Sequence, residues 1–398
     1  MTVSSGLPTV LVVENSLREN GGLRVSLEHA RRLRASGARV GLAVVEDVHD
    51  TALAAPDPSL TVELLTTRGS RLRTSLVPAL RRLVGRARQA DVVLAGSEIG
   101  SCLLLGFLAA RLARRPFVVL VQADLDHAIQ DWVPRRLHRA TRWVHRRVDA
   151  AVCVTESIVS GLVDNGLPGE RAVVVVNGID VAAVRTRAGL APSGTDGLRD
   201  TAGGVGTGLP TVVANGRLTV AKDFPLLVRA HARVLRNGVD HRLVIMGEGP
   251  DREHIEAVVA DEGVESSVSL PGFEPEPYKT IAAADLFVLS SRTEGLPLTV
   301  LEALAVGAPV IATRCGTGPD LLLDGGRYGE LVPPGDLDAL ADAVERHLRD
   351  PGPLRQRATG GPARALEFDA GLSAARVLDL LTGLVRARSA PVTGAARG

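Results

Sequence analysis

Short runs dominated by valine, leucine, isoleucine and alanine alternate along this chain with longer stretches of helical period. The runs at Thr9–Val13, Arg39–Val45, Leu60–Leu65, Asp91–Ala95, Phe117–Val121, Ala150–Val154 and Val173–Val176 are mostly apolar throughout rather than alternating. That pattern predicts strands buried on both faces, as in a parallel sheet. Amphipathic segments at Leu23–Leu33, Leu72–Arg86 and Leu137–Val148 supply helices to cover it. A glycine-rich stretch over 189–209 then breaks the pattern and reads as a linker. Alternation resumes with strands at Thr211–Ala214, Leu243–Met246, Val268–Leu270, Leu286–Leu289, Val310–Ala312 and Glu330–Val332.

The expected architecture is α/β: two doubly wound, Rossmann-like domains facing across a cleft, covering 1–188 and 210–368. A C-terminal helix over 369–388 and a frayed tail over 389–398 complete it. Ligands of such sheets bind beyond the carboxyl ends of the strands, so chemistry is expected in the loops just after them.

Composition narrows the function classes. The chain has 398 residues, 45% hydrophobic and 23% charged, with a net charge of +1. This is ordinary globular composition, with no global field to recruit nucleic acid. Cys102, Cys153 and Cys315 lie far apart without CxxC spacing, which argues against a disulfide framework or a cysteine-built metal site. The first residues show no secretory pattern, and the apolar stretch Cys102–Ala110 is far short of about 18 residues. The expectation is a soluble cytoplasmic protein. Of 46 cations only Lys222 and Lys279 are lysines, so an arginine cluster is weak information here and a lysine strong.

The most informative stretch is Ser290–Thr313, SSRTEGLPLTVLEALAVGAPVIAT. A strand runs into a polar loop holding Glu294, and a helix follows from Leu298 with Glu302 eight residues beyond Glu294. The amides at Leu298 and Thr299 open that helix and offer a seat for phosphate. The two carboxylates can accept from sugar and ribose hydroxyls. Glu14-Asn15 through Gly21-Gly22 forms a second strand-to-helix turn, where glycines let backbone approach a ligand.

These residues resemble the family 4 retaining glycosyltransferases, which have the two-domain GT-B fold. The resemblance rests on EGLPLTVLEALAVGAPVIAT together with Asn177-Gly178-Ile179-Asp180, Gly216-Arg217-Leu218, Lys222, Gly247-Glu248-Gly249-Pro250, Pro271-Gly272-Phe273 and Gly329–Asp336. It implies that Glu302 holds the donor's ribose and Glu294 contacts the transferred sugar. It implies that Arg217 and Lys222 grip the diphosphate, and that Gly21 and Gly22 line the donor phosphates. Gly247 and Phe273 are expected beside the nucleotide, with Phe273 near the base. Many members carry a histidine after the strand that ends at Val121; here Gln122 stands at its end and His127 five residues on, and His127, Gln122 or an aspartate of this segment could fill that place. Two fixed cations and a helix N-terminus can stabilise a leaving diphosphate without metal. Asp124-x-Asp126 and Asp336-x-Asp338 match a metal-binding triplet by composition alone.

The reading is a metal-independent glycosyltransferase with no cofactor, taking a nucleotide-diphosphate sugar and a small-molecule, glycan or lipid acceptor. An epimerase of the same fold is the alternative. A nicotinamide oxidoreductase is disfavoured, because Arg252 occupies the third glycine position of a dinucleotide-binding turn at Gly247-x-Gly249. Residues 1–180 hold 23 cations and 18 acids, net +5. On a helical wheel 71–88 gathers Leu72, Leu76, Val77, Leu80, Leu83 and Val84 on one arc, opposite Arg71, Arg81, Arg82, Arg86 and Arg88. Such a helix could lie on an anionic membrane. The preferred reading is a sheet-covering helix with a solvated face.

Overall fold

The structure is a computed structural model that describes residues 6–17, 21–46, 60–66, 72–192 and 208–389. It divides into two units, Met1–Asn177 with Ala370–Gly398, and Gly178–Asp369. Most of the predicted linker, 193–207, and the tail from 390 lie outside the described residues.

The first unit is built on seven parallel strands: β1 (Thr9–Glu14), β2 (Arg39–Val44), β3 (Thr61–Leu64), β4 (Val92–Ala95), β5 (Phe117–Val121), β6 (Ala150–Cys153) and β7 (Ala172–Val174). Their order is β3-β2-β1-β4-β5-β6-β7. The helices are α1 (Gly21–Ala35), α2 (Leu72–Gln89), α3 (Ser101–Ala113), α4 (Leu125–Trp132), α5 (His138–His145) and α6 (Glu156–Asp164). Val10 pairs with Val40 on one side and Val92 on the other, so the centre of the sheet is a lattice of buried β-branched side chains.

The second unit repeats the plan. Its helix α7 (Val181–Arg187) precedes the six-stranded parallel order β10-β9-β8-β11-β12-β13. The strands are β8 (Thr211–Asn215), β9 (Arg242–Met246), β10 (Val268–Gly272), β11 (Leu286–Leu289), β12 (Val310–Thr313) and β13 (Glu330–Val332). They are followed or separated by α8 (Phe224–Arg236), α9 (Arg252–Glu262), α10 (Tyr278–Ala283), α11 (Leu298–Val306), α12 (Thr317–Leu323) and α13 (Leu337–Arg349). Two short helices, α14 (Gly352–Ala358) and α15 (Gly361–Leu366), lead to α16 (Ala370–Ser389).

Three details depart from the sequence reading. Residues 178–188, assigned there to the first domain, belong to the second unit. Buried Arg185 of α7 donates to the carbonyls of Ala191 (2.7 Å) and Ala305 (2.9 Å), tying this segment to α11. The C-terminal helix α16 joins the first unit, because Val377 and Leu381 enter its core. In α2 the apolar arc is split. Ala79, Leu83 and Ala87 form the buried face, while Leu76 and Val77 point to solvent among the arginines.

Candidate active site

In each sheet the strand order reverses between the first and fourth strands, where the first crossover turns to one side and later ones to the other. Loops leaving those two strands diverge and open a crevice. In the second unit they are the loops after β8 and β11.

The β8 loop runs through Gly216, Arg217 and Leu218 to Lys222. It is held from behind by the loop after β9: Gly216 donates its amide to Met246 O (3.0 Å) and Leu218 to Glu248 O (3.0 Å). A side chain at Gly247 would stand 1.9 Å from Gly216 O, and one at Gly249 2.1 Å from Leu218 O. The glycines of the β9 turn therefore make loop packing possible, and this is the demand the structure shows at Gly247. Arg217 is exposed at the strand end. Asp223 follows Lys222 with φ 47° and ψ 44°, an unusual conformation for a residue with a Cβ. Its buried carboxylate accepts from Arg292 Nε at 2.7 Å.

The β11 loop brings Glu294 against Lys222. Lys222 Nζ donates to Glu294 Oε1 at 2.5 Å, and Ser291 Oγ donates to the same oxygen at 2.7 Å. Ser290 Oγ donates to Lys222 O (2.8 Å), and Thr313 Oγ1 donates to Ser291 O (2.6 Å). Glu294 N donates to Cys315 O (2.9 Å). Burial, with Glu294 beside it, pushes the Cys315 thiol up to about 11 and keeps it neutral. Side chains at Gly316 and Gly318 would strike the backbone oxygens of Glu294 and Gly295, at 2.7 and 2.1 Å. The turn after β12 can thus press directly on the Glu294 loop.

Leu298 and Thr299 begin α11, whose N-terminus has no side-chain cap. Its first amides lack intrahelical acceptors. The hydroxyl of Thr299 is buried with no hydrogen-bond partner. Glu302, farther along α11, is fully buried. Phe273 is exposed just after β10. Sequence reasoning picked out Lys222, Glu294 and the α11 start, which the structure brings into one neighbourhood. It gave no role to Ser290, Ser291, Asp223, Arg292, Gly316 or Gly318, although both serines stand inside the stretch it singled out.

The corresponding crevice of the first unit lies after β1 and β4. Glu14 ends β1, is buried, and accepts from Ser26 Oγ of α1. A side chain at Gly96 would fall 1.7 Å from Glu14 Oε1, so glycine makes the room for this carboxyl. Burial raises Glu14 to about 8. Glu98, also buried, is raised to about 7 by desolvation, against the opposing pull of amides at Gln122 and Ala123. Asn15 Oδ1 accepts from Cys102 N (2.8 Å) and Ser101 Oγ (3.1 Å), clamping the start of α3. Gln122 Nε2 donates to Gly22 O at 3.2 Å, joining the strand end to the glycine turn; Gly21 stands beside it with open space where a side chain would be.

His127 is not drawn into that turn. Its ring is 44% exposed on α4 and pairs with Asp131 at 3.3 Å. Asp124 caps α4 by accepting from His127 N (2.9 Å), while Asp126 accepts from Arg142 (2.8 Å) and Asn165 (3.2 Å). The two aspartates of the triplet are thus engaged with different partners.

Comparison with known proteins follows the same division. Residues 20–183 match the model described as Glycosyltransferase Family 4, and 209–350 that described as Glycosyl transferases group 1. Alpha-D-kanosaminyltransferase of Streptomyces kanamyceticus is 34% identical over 179 residues, 44% of this chain and 45% of that protein. GDP-mannose-dependent alpha-(1-6)-phosphatidylinositol monomannoside mannosyltransferase of Mycolicibacterium smegmatis is 35% identical over 193 residues, 46% of this chain and 50% of that protein. The chain thus spans about half the length of these relatives. HepE of Anabaena, solved in complex with UDP, superposes with a TM-score of 0.77 at 21% identity, over 94% of this chain and all of that one. That likeness is one of fold, and it identifies the two-sheet architecture as GT-B. Landmark residues, paired family matches and fold agree, and the chain belongs to the family 4, group 1 glycosyltransferases.

Proposed function

We propose that the protein is a retaining glycosyltransferase that moves a sugar from a nucleotide-diphosphate donor to an acceptor hydroxyl without a metal ion or other cofactor. The observation that carries this reading is the Lys222–Glu294 pair at the switch point of the second sheet, in the loop that leads to the uncapped start of α11. A cation and a helix N-terminus suit a diphosphate, and the orphan hydroxyl of Thr299 adds a donor. Arg217 at the end of β8 supplies a second cation, Glu294 an acceptor for the transferred sugar, and Glu302 an acceptor for ribose. Phe273 would flank the base.

In the reaction the bond between the anomeric carbon and the diphosphate oxygen breaks, and a bond to the acceptor oxygen forms on the same face. The acceptor's proton passes to the departing diphosphate. Charge develops on that leaving group, where Lys222 and Arg217 stabilise it more in the transition state than in the ground state. Metal-free stabilisation is supported by the engagement of Asp124 in a helix cap and of Asp126 with Arg142. The first unit, with Gly21-Gly22 held by Gln122, would receive the acceptor. With Asp131 as its partner, His127 yields the sugar-facing place to Gln122 in this reading. The relatives' donors differ in their nucleotide, so the test is a panel of UDP- and GDP-sugars with product analysis by mass spectrometry and NMR. An axial-to-axial or equatorial-to-equatorial product is expected, in excess chelator as without it. Inverted anomeric configuration, or release of epimerised donor without transfer, would sink the proposal.

A further inference from the structure

A cavity of about 230 Å³ lies in the first unit, lined by Asp91, Arg114, Arg115, Pro116, Val385 and Arg388. Asp91 immediately precedes β4, Pro116 immediately precedes β5, and Val385 and Arg388 belong to the end of α16. The strands are parallel, so their starts share one end of the sheet, opposite the crevice after β1 and β4. The cavity is therefore separate from the site described above.

Three arginines from two remote parts of the chain line this one space. Arg388 Nη2 donates to Arg114 O (2.9 Å) and Arg115 Nη2 to Arg88 O (2.9 Å). Each bond occupies one arm of a five-donor fork, and a carbonyl leaves the charge in place. Arg115 Nε is buried with no hydrogen-bond partner. Among the described residues none of the three pairs with a carboxylate, whereas other arginines of this unit do: Arg111 with Asp149, Arg142 with Asp126 and Arg86 with Glu63. Arg114 closes α3 in the left-handed region, φ 57° and ψ 46°, where glycine is the usual occupant. Asp91 Oδ2 accepts from Thr9 N (2.9 Å), and its Oδ1 has no donor among the described residues. Three cations and one carboxylate leave an excess of two positive charges, which a phosphate monoester matches at neutral pH. Pro116 and Val385 give carbon atoms an apolar wall. The volume is below the roughly 300–1,000 Å³ of pockets for drug-sized ligands, too small for a nucleotide sugar.

We infer that this cavity binds a small phosphate monoester bearing hydroxyl groups, of the sugar-phosphate class. Arg114, Arg115 and Arg388 hold the phosphate, where planar forks suit its oxygens, and Asp91 Oδ1 accepts from a hydroxyl. The orphan Nε of Arg115 gains an acceptor. Arg388 stands in the last turn of α16, and Arg114 and Arg115 in the turn from α3 into β5. The bound phosphate thus fastens the far end of α16 to the sheet. Val377 and Leu381 already anchor the middle of that helix in the core.

The test uses the full chain and needs no turnover, so it stands or falls apart from the proposed reaction. Calorimetric titration with glucose 6-phosphate and with glycerol 3-phosphate is expected to show one saturable site for at least one of them. The ester that binds should raise the melting temperature. Glucose and inorganic phosphate each lack half of the recognised chemistry and should bind at least ~10-fold more weakly. Arg114→Gly suits the left-handed backbone, so the unliganded variant should melt at or above the parent while its affinity for the ester falls ~10-fold or more. Arg388→Gln, an exposed change, should weaken binding to a similar extent. Lys222→Ala should leave this affinity unchanged, which separates the cavity from the donor site. Absence of saturable binding, unchanged affinity in either arginine variant, or loss of affinity in Lys222→Ala overturns the inference. So does inorganic phosphate binding as tightly as the esters, or tighter binding to anionic vesicles or duplex DNA than to the free esters.

Discussion

In the free protein Lys222 is already occupied: its ammonium sits 2.5 Å from Glu294 Oε1, in a pair whose side chains are only 21% and 12% exposed. A donor diphosphate that takes Lys222 must draw it away from that carboxylate. Glu294→Gln keeps the shape of the side chain and its contact with Ser291, but removes the charge. A hydrogen bond between charged groups contributes about 1.5–3 kcal/mol, and partial exposure discounts this to ~1–2 kcal/mol here. Released from that competition, Lys222 should bind a nucleoside diphosphate ~5–30-fold more tightly, by the usual factor of ten per 1.4 kcal/mol. Turnover should fall at the same time, because the transferred sugar loses its acceptor. Isothermal titration with UDP and GDP, beside initial rates, reads both effects. Weaker or unchanged diphosphate binding in Glu294→Gln would refute the assignment of Lys222 to the leaving group.

Three further outcomes are expected. Lys222→Ala removes a cation aimed at developing charge and should cost roughly 10²–10³ in kcat, whereas Asp124→Asn, a helix-cap change, should leave donor binding intact; the reverse ranking in steady-state assays would point to metal chemistry. Glu302→Gln should raise the donor KM and nucleotide Kd by ~10-fold or more with little change in kcat, since ribose contacts are shared by ground and transition states; an unchanged Kd would remove Glu302 from the donor site. Glu14, raised from 4.5 to about 8 by burial, keeps in the folded state a proton that the unfolded chain releases, so its contribution to stability declines as pH rises across that window and is constant above it. Glu14→Gln should therefore gain a few kcal/mol relative to the parent above about pH 8, and nothing near pH 4, in thermal unfolding. His29 and His145, lowered to about 4, act oppositely and weaken the fold as pH drops below about 6.5 in parent and variant alike.

The lattice of strands was legible in the sequence because burial on both faces leaves a local mark, an unbroken apolar run bounded by turn residues. The start of α11, Glu294, Glu302 and Lys222 were legible as well, since they lie in a short segment or stand out by residue type. Domain membership of 178–188 and of α16 was not, for it depends on contacts remote in sequence: Arg185 reaching Ala305, and Val377 and Leu381 entering a core begun by β1. The split of the apolar arc of α2 was equally hidden. A helical wheel shows which residues share a side, but only the packing of α2 on its sheet and on α3 decides that Ala79 and Leu83 go inward while Leu76 and Val77 go out. The Lys222–Glu294 pair illustrates the same division. Lys222 and Glu294 stand 72 residues apart, and each alone is an ordinary charged side chain. What sets them 2.5 Å apart is the adjacency of β8 and β11, together with glycines at 247, 316 and 318 that let neighbouring loops press backbone to backbone. Local periodicity determined the elements, and the order in which the sheet assembled them decided which charges meet.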